Sequence, residues 1–256
     1  PADRCDGMVG DDADSDVVFG MFSADGIDSH AVARTAGDRT GQAYIFVDNA
    51  GSSMISIMSG ANSALSEGDV SAHEQVFRDV GICLLQTEVP MPAIERAAVL
   101  AKRYGATTIL KPSDCRELPD DLLAHVDILV PNLDELSQIC PDGASMEEKA
   151  GMLLSKSVST VLVTMGGDGC CVFDRAGVTR IDALKVPSID TTGAGDAFIS
   201  ALASYLLYGY GMVSAARIAT YAAALSTLRQ GVSPALVDRN TLEAYIALRD
   251  PSLLGA

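Results

Sequence analysis

Residues 127–164 read DILVPNLDELSQICPDGASMEEKAGMLLSKSVSTVLVT. Two short apolar runs, at 127–130 and 160–164, bound the stretch, with helix-like segments near 133–139 and 145–156 between them. Runs this short, rich in branched residues, read as strands rather than helices. Strands joined through helices lie parallel, because such a connection crosses over the sheet. Unbroken apolar character along each run means burial on both faces, which only helices on both sides of a sheet provide. The same alternation extends upstream, with apolar runs at 80–85 (VGICLL) and 107–110 (TTIL) and a helix-like stretch near 91–104. Downstream, alanine-rich helices run from Gly195 to Arg229 with a break around Gly209–Gly211, and a last helix is expected at 239–249. The pattern predicts an α/β domain on a mostly parallel sheet.

The first third is different. Residues 11–25 read as a helix after a turn at Gly10-Asp11-Asp12, and residues 1–8 (PADRCDGM) are too polar to suggest a buried strand. QAYIFVD at 42–48 and MISIM at 54–58 flank Asn49-Ala50-Gly51-Ser52, a hairpin signal that suits a separate flap. The chain has 256 residues against a prior of roughly 150 per domain. One main domain over 1–256, with a small β appendage near 42–58, is the expected organisation.

Composition narrows the partners. With 34 acidic and 18 basic residues the net charge is −16, which argues against nucleic acid and against anionic membrane surfaces. An anionic small molecule remains compatible, since a local cluster of donors can hold a phosphate on an acidic protein. Hydrophobic residues at 48% provide ample core, and no apolar run approaches the length of a membrane span. No basic segment followed by an apolar run opens the sequence. The 6 cysteines have no paired CxxC spacing, and His30, His73 and His125 share no local motif. A reduced, cytoplasmic protein without a zinc site is the expectation.

Ligands of open α/β sheets bind beyond the carboxyl ends of the strands. Here those ends carry Gln86-Thr87-Glu88, Lys111, Pro131-Asn132, and Thr164 followed by Met165-Gly166-Gly167-Asp168-Gly169. Loops are wet, so each of these is also explained as an ordinary polar strand end, and GGDG as a mere hairpin turn before residues 170–173. The strongest segment is SIDTTGAGDAF at 188–198, a Gly-Ala-Gly turn leading into an apolar helix. Such a helix start gathers unpaired N–H groups with the positive end of the helix dipole, which makes an anion site. Asp196 in its first turn is either a helix-start charge or a base beside that site.

DTTGAGDAF at 190–198 resembles the signature of the ribokinase-like (PfkB) carbohydrate kinases. VGDD at 9–12, RTGQAYIFVD at 39–48, GANSAL at 60–65, LLQTEVP at 84–90, PNLDE at 131–135, VTMGGDG at 163–169 and AAALSTLRQGVSP at 222–234 are similar to family motifs and fall in family order. The resemblance implies a three-layer α/β/α, Rossmann-like fold with a β-hairpin lid. It also implies an ATP-dependent sugar kinase acting on a primary hydroxyl, with ribose as the acceptor. Fructose, 2-keto-3-deoxygluconate or adenosine kinases, or a non-catalytic nucleotide-binding relative, are the alternatives. By the same resemblance Asp196 is the base and Gly193, Ala194 and Gly195 form the anion hole. Asn132 and Glu135 position magnesium and phosphates through water, although Asp134-Glu135 also reads as a plain acidic helix start. Thr164, Met165, Gly166, Gly167, Asp168, Gly169 and Thr220 line ATP, and Glu88 holds sugar hydroxyls. Asp190 and Thr192, with Ser226, Arg229 and Gly231, match a monovalent-cation loop for potassium, and a homodimer through the lid strands is implied.

The sequence departs from the family pattern in three places. Lys111-Pro112 stands where an Asn-Pro pair is usual, and Ala235 stands where a serine commonly completes the cation site. The family's first strand, with its sugar-binding aspartate, and the Gly-Gly-x-x-x-Asn motif have no counterpart. The expectation is therefore a natural protein that extends upstream.

Overall fold

Strand structure begins earlier than the polarity of residues 1–8 suggests. The computed structural model, which describes residues 3–47, 53–113 and 117–255, has a strand β1 at Arg4–Gly10. Helix α1 (Ala13–Asp25) connects it to a parallel partner, β2 (Asp28–Thr35), which the sequence pattern did not reveal. The physical reason is tertiary: the Arg4 guanidinium donates to the carbonyls of Val76 and Arg78 at 3.0 and 2.7 Å. Arg4 in this strand is satisfied by partners more than 70 positions away, which a local polarity reading cannot register.

The VGDD and RTGQ motifs meet at one junction. Asp12 caps α1 by accepting from the Ser15 N–H at 3.0 Å, and it also accepts from the Thr40 N–H at 2.8 Å and hydroxyl at 2.6 Å. These bonds hold its carboxyl below the ordinary aspartate value, the Thr40 hydroxyl contributing most. Gly10 is required there because a Cβ would lie 2.4 Å from the Thr40 backbone nitrogen.

Contacts divide the chain into two compact units, Pro1–Ala106 and Thr107–Ala256. The first continues through the antiparallel hairpin β3 (Gln42–Val47) and β4 (Ser53–Met58), with Gln42 opposite Met58. The expected turn at Asn49-Ala50-Gly51-Ser52 lies outside the described residues. Tyr44, Ile45, Ile57 and Met58 on this ribbon are exposed. Helix α2 (Glu67–Ala72), strand β5 (Ile82–Gln86) and helix α3 (Met91–Arg103) complete the unit.

The second unit is built as the 127–164 stretch predicts. Its elements are β6 (Thr107–Lys111), α4 (Asp120–Leu123), β7 (Ile128–Leu129), α5 (Leu133–Ile139), α6 (Met146–Leu154) and β8 (Thr160–Thr164). Strands β6, β7 and β8 are parallel, with Ile128 facing Ile109 on one side and Thr160 on the other. Ile109, Leu110, Leu129, Val161, Leu162 and Val163 are fully buried, which accounts for the unbroken apolar runs. An antiparallel hairpin, β9 (Cys170–Asp174) and β10 (Gly177–Ile181), joins β8 at the edge. Strand β10 escapes a pattern reading because four of its five residues are exposed. Helices α7 (Ala194–Leu207), α8 (Met212–Ser226) and α9 (Arg239–Arg249) follow.

Two adjacent cysteines mark the layers of this unit. Side chains alternate across a strand. Cys170 lies beside Thr220 of α8, whereas Cys171 senses the Glu147 carboxylate of α6. Helices therefore cover both faces of the sheet, giving α/β/α layers. Burial pushes the Cys170 thiol up to about 12, so it is an inert core group.

Candidate active site

The ends of β7 and β8 lie side by side. Thr164 N–H donates to Pro131 O at 2.9 Å, and Asn132 forms a parallel bridge with Thr164. Asn132 caps α5: its Oδ1 accepts from the Glu135 N–H at 2.8 Å, and Glu135 Oε2 accepts from the Asn132 N–H at 2.7 Å. This reciprocal box fixes both side chains at the carboxyl edge of the sheet. Beyond Thr164 the chain makes a tight turn, with Met165 N–H on Gly169 O at 2.8 Å and Lys185 Nζ on Gly167 O at 2.5 Å. Gly169 has φ +89°, and a Cβ there would lie 2.0 Å from Ile181 O, so the last glycine of GGDG is required by the β8–β9 hairpin itself.

Lys111 ends β6 and reaches across to α5. Its Nζ lies 2.5 and 2.6 Å from the two Glu135 carboxylate oxygens, and both side chains are largely buried. Glu135 thus receives the Lys111 ammonium on both oxygens and a backbone N–H as well. A carboxylate free to reach magnesium through water was the expectation; the structure has one already neutralised by a lysine. Among the described residues, no group of three or more His, Cys, Asp or Glu side chains forms an ion's ligand set. As arranged, these residues do not fit a magnesium site, and no chemical step below runs through one.

The start of α7 is the other half of the site. Gly193 caps the helix at φ +76°, and a Cβ there would lie 2.7 Å from Val232 Cγ1. Ala194 N–H donates to Thr191 O at 3.2 Å, and Ala197 N–H makes the first helical bond, to Gly193 O at 2.9 Å. The N–H groups left for a ligand at this helix start are those of Gly195 and Asp196 rather than that of Ala194. No N-cap side chain closes this helix start, and Asp196 is the acidic residue of its first turn. The protein surrounding its carboxyl pushes it above the ordinary aspartate range, and the Lys111 charge opposes that shift. Lys111 is close here too: a Cβ on Gly195 would lie 3.9 Å from its Cε.

Asp190 ties this turn to the segment after α8. It accepts from Thr192 N–H and Gly231 N–H, both at 3.0 Å, while Ile189 and Asp190 donate to Thr227 O at 2.7 and 3.2 Å. The Gly231 bond, followed by that of Thr192, holds the Asp190 carboxyl below its ordinary range. Protein hydrogen bonds therefore join the 190–192 and 226–231 loops, and no step is routed through potassium. Ser226 is buried with its hydroxyl on Ala223 O, Arg229 is exposed, and Ala235 is buried.

Two further candidates complete the set. Thr220 is buried in α8, its hydroxyl donating to Ala216 O at 2.8 Å beside the Cys170 thiol. Glu88 is exposed in the first unit, just after β5. Val232, which closes over Gly193, and the Lys111–Glu135 pairing were missed by sequence reasoning. A lysine at a strand end is visible in the sequence, but its partner 24 positions away is not.

Comparison with known proteins supplies the relatives. The pattern of the pfkB family carbohydrate kinases matches residues 6–239. The bifunctional ribokinase/ribose-5-phosphate isomerase A of Fructilactobacillus sanfranciscensis is 34% identical over 93% of this chain and 44% of its own length. Staphylococcus aureus ribokinase is 36% identical over 77% of this chain and 66% of its own length. The chain thus spans less than two thirds of either relative. A solved structure of Arabidopsis thaliana ribokinase complexed with ribose and ATP superimposes with a TM-score of 0.83 at 27% identity, covering 94% of this chain and 80% of that one.

Proposed function

The chain belongs to the pfkB family of carbohydrate kinases, and on that premise we propose that it transfers the γ-phosphate of ATP to a primary hydroxyl of ribose. The observation that carries this reading is Asp196 at the open start of α7, beside two N–H donors that no helix carbonyl accepts. Asp196 takes the hydroxyl proton as the sugar oxygen attacks phosphorus in line, and ADP leaves from the opposite side. The Gly195 and Asp196 N–H groups hold the oxygens of the transferring group through the loose transition state. No enzyme-bound phosphate forms. A carboxyl raised by its surroundings is the stronger base for this task, provided it stays ionised at neutral pH.

ATP would lie along Asn132 and the Thr164–Gly169 turn, with its phosphates directed at α7, and Glu88 would hold sugar hydroxyls. When bound to ATP, magnesium offsets the charge of the β- and γ-phosphate oxygens. The three named relatives, all of which carry ribokinase in their names and one of which was solved with ribose and ATP, support ribose over other acceptors. The exposed apolar ribbon β3–β4 supports a homodimer through these strands, because a lone two-stranded hairpin is marginal in water. The free thiols Cys5, Cys83, Cys140, Cys170 and Cys171 support a reducing, cytoplasmic setting, and no described helix is long and apolar enough to cross a membrane.

The deciding experiment is an ADP-release assay with ribose, fructose, 2-keto-3-deoxygluconate and adenosine. Ribose is expected to give the highest kcat/KM. ADP release that no acceptor stimulates would defeat the kinase reading, and a stronger response to another acceptor would defeat ribose alone.

A further inference from the structure

We infer that Lys111 is a phosphate-contacting residue of the transfer site, its ammonium supplying charge where Glu135 would otherwise have to recruit a metal ion. The inference rests on the phosphoryl-transfer reading above and adds a residue to it.

Three observations carry it. The side chain runs from the carboxyl end of β6 to the start of α7, with Cε against Gly195 and its charge acting on the Asp196 carboxyl. It therefore stands beside the groups proposed to hold and activate the reactants. Next, the ammonium has three N–H donors, and two are directed at Glu135. The third has no acceptor among the described residues, and backbone donors are also open at the nearby start of α7. Finally, a structural role explains the pair poorly. Asn132 already caps α5, so the helix start is satisfied without Lys111. Largely burying two charges to pair them is at best weakly stabilising compared with apolar packing.

The chemistry follows from the charges. Glu135 holds Lys111 in a fixed direction, as a positioning residue. The free N–H points a positive charge at the oxygens of the transferring group, alongside Gly195 and Asp196 N–H. A divalent ion held by Glu135 would have to displace the ammonium or sit against it, and two cations at one carboxylate repel each other. Magnesium then arrives on ATP alone, and its requirement is set by the nucleotide rather than by Glu135.

The test uses the full chain and three variants: Lys111→Met, Lys111→Arg and the double variant Lys111→Met/Glu135→Gln. Turnover, magnesium half-saturation, ATP affinity by calorimetry and melting temperature are measured on each. Lys111→Met is expected to lower kcat about 10²–10³-fold, the usual cost of removing one transition-state donor, and to weaken ATP binding. Lys111→Arg should recover part of the loss. The double variant removes both charges, so it should melt near the wild type yet turn over as slowly as Lys111→Met, with unchanged magnesium half-saturation. Wild-type turnover in Lys111→Met, or its return in the double variant, would overturn the inference by making Lys111 a counter-ion only. A magnesium requirement that rises when Glu135 is lost would overturn it too. If the wild type phosphorylates no sugar, the kinase reading fails separately. Calorimetry then decides Lys111: weaker ATP binding in Lys111→Met upholds the contact, and equal binding refutes it.

Discussion

Asp196 and Gly193 carry the sharpest residue-level expectations. Asp196→Asn keeps shape while removing proton affinity, so turnover should fall about 10²–10⁴-fold with ATP affinity nearly unchanged, checked by steady-state kinetics and calorimetry. Because its carboxyl lies above the ordinary aspartate value of 3.8, the base form is complete above that raised pKa and is lost as pH falls through it. The acid limb of kcat/KM should therefore lie above pH 3.8 and disappear in Asp196→Asn. Gly193→Ala forces a side chain into φ +76° and against Val232 Cγ1 at 2.7 Å. The backbone strain alone is worth about 1–3 kcal/mol, so a lower melting temperature should accompany reduced turnover. An alanine variant equal to wild type in both would mean the turn relaxes without harm to the anion hole.

At the scale of elements, legibility tracked burial. Strand β8 and helices α5 and α9 fall at the residues their patterns predict, because buried apolar periodicity is a local record of a tertiary fact. Strands β1, β2 and β10 were not legible, since their residues are polar, half-buried or exposed and are stabilised by distant partners. The site divides in the same way. The 190–196 turn could be read from glycine spacing, and the Asn132–Glu135 box from a three-residue interval, but the Lys111–Glu135 contact depends on how β6 and α5 align. Asn132→Ala should destabilise the protein by about 1 kcal/mol through loss of the α5 cap, measurable by denaturant unfolding. The Asp190 bridge leads to a second expectation at this scale: rates in potassium, sodium and a bulky organic cation should be alike, because protein N–H groups already join the two loops. A selective increase in kcat with potassium would show that an ion shares that bridge.

The molecule as a whole carries a net charge of −16 and, as the proposed kinase, must admit a polyanion. The local donors around Lys111 and α7 act at contact distance, whereas the overall field repels ATP from afar. Raising ionic strength from 0.01 to 0.15 M shortens the screening length from about 30 to about 8 Å. Long-range repulsion should fade before the contact interactions do. The kcat/KM for ATP is expected to rise over that range, and a steady fall would mean that the positive cluster governs encounter as well as binding. The Asp190–Gly231 bond joins residues 41 positions apart, with all of α7 and α8 in the loop it closes. Closing so long a segment is entropically slow to achieve and must follow docking of the two helices. On refolding, then, the proposed nucleotide site is expected to mature after the core has condensed, leaving an interval in which the chain is compact but blind to ATP.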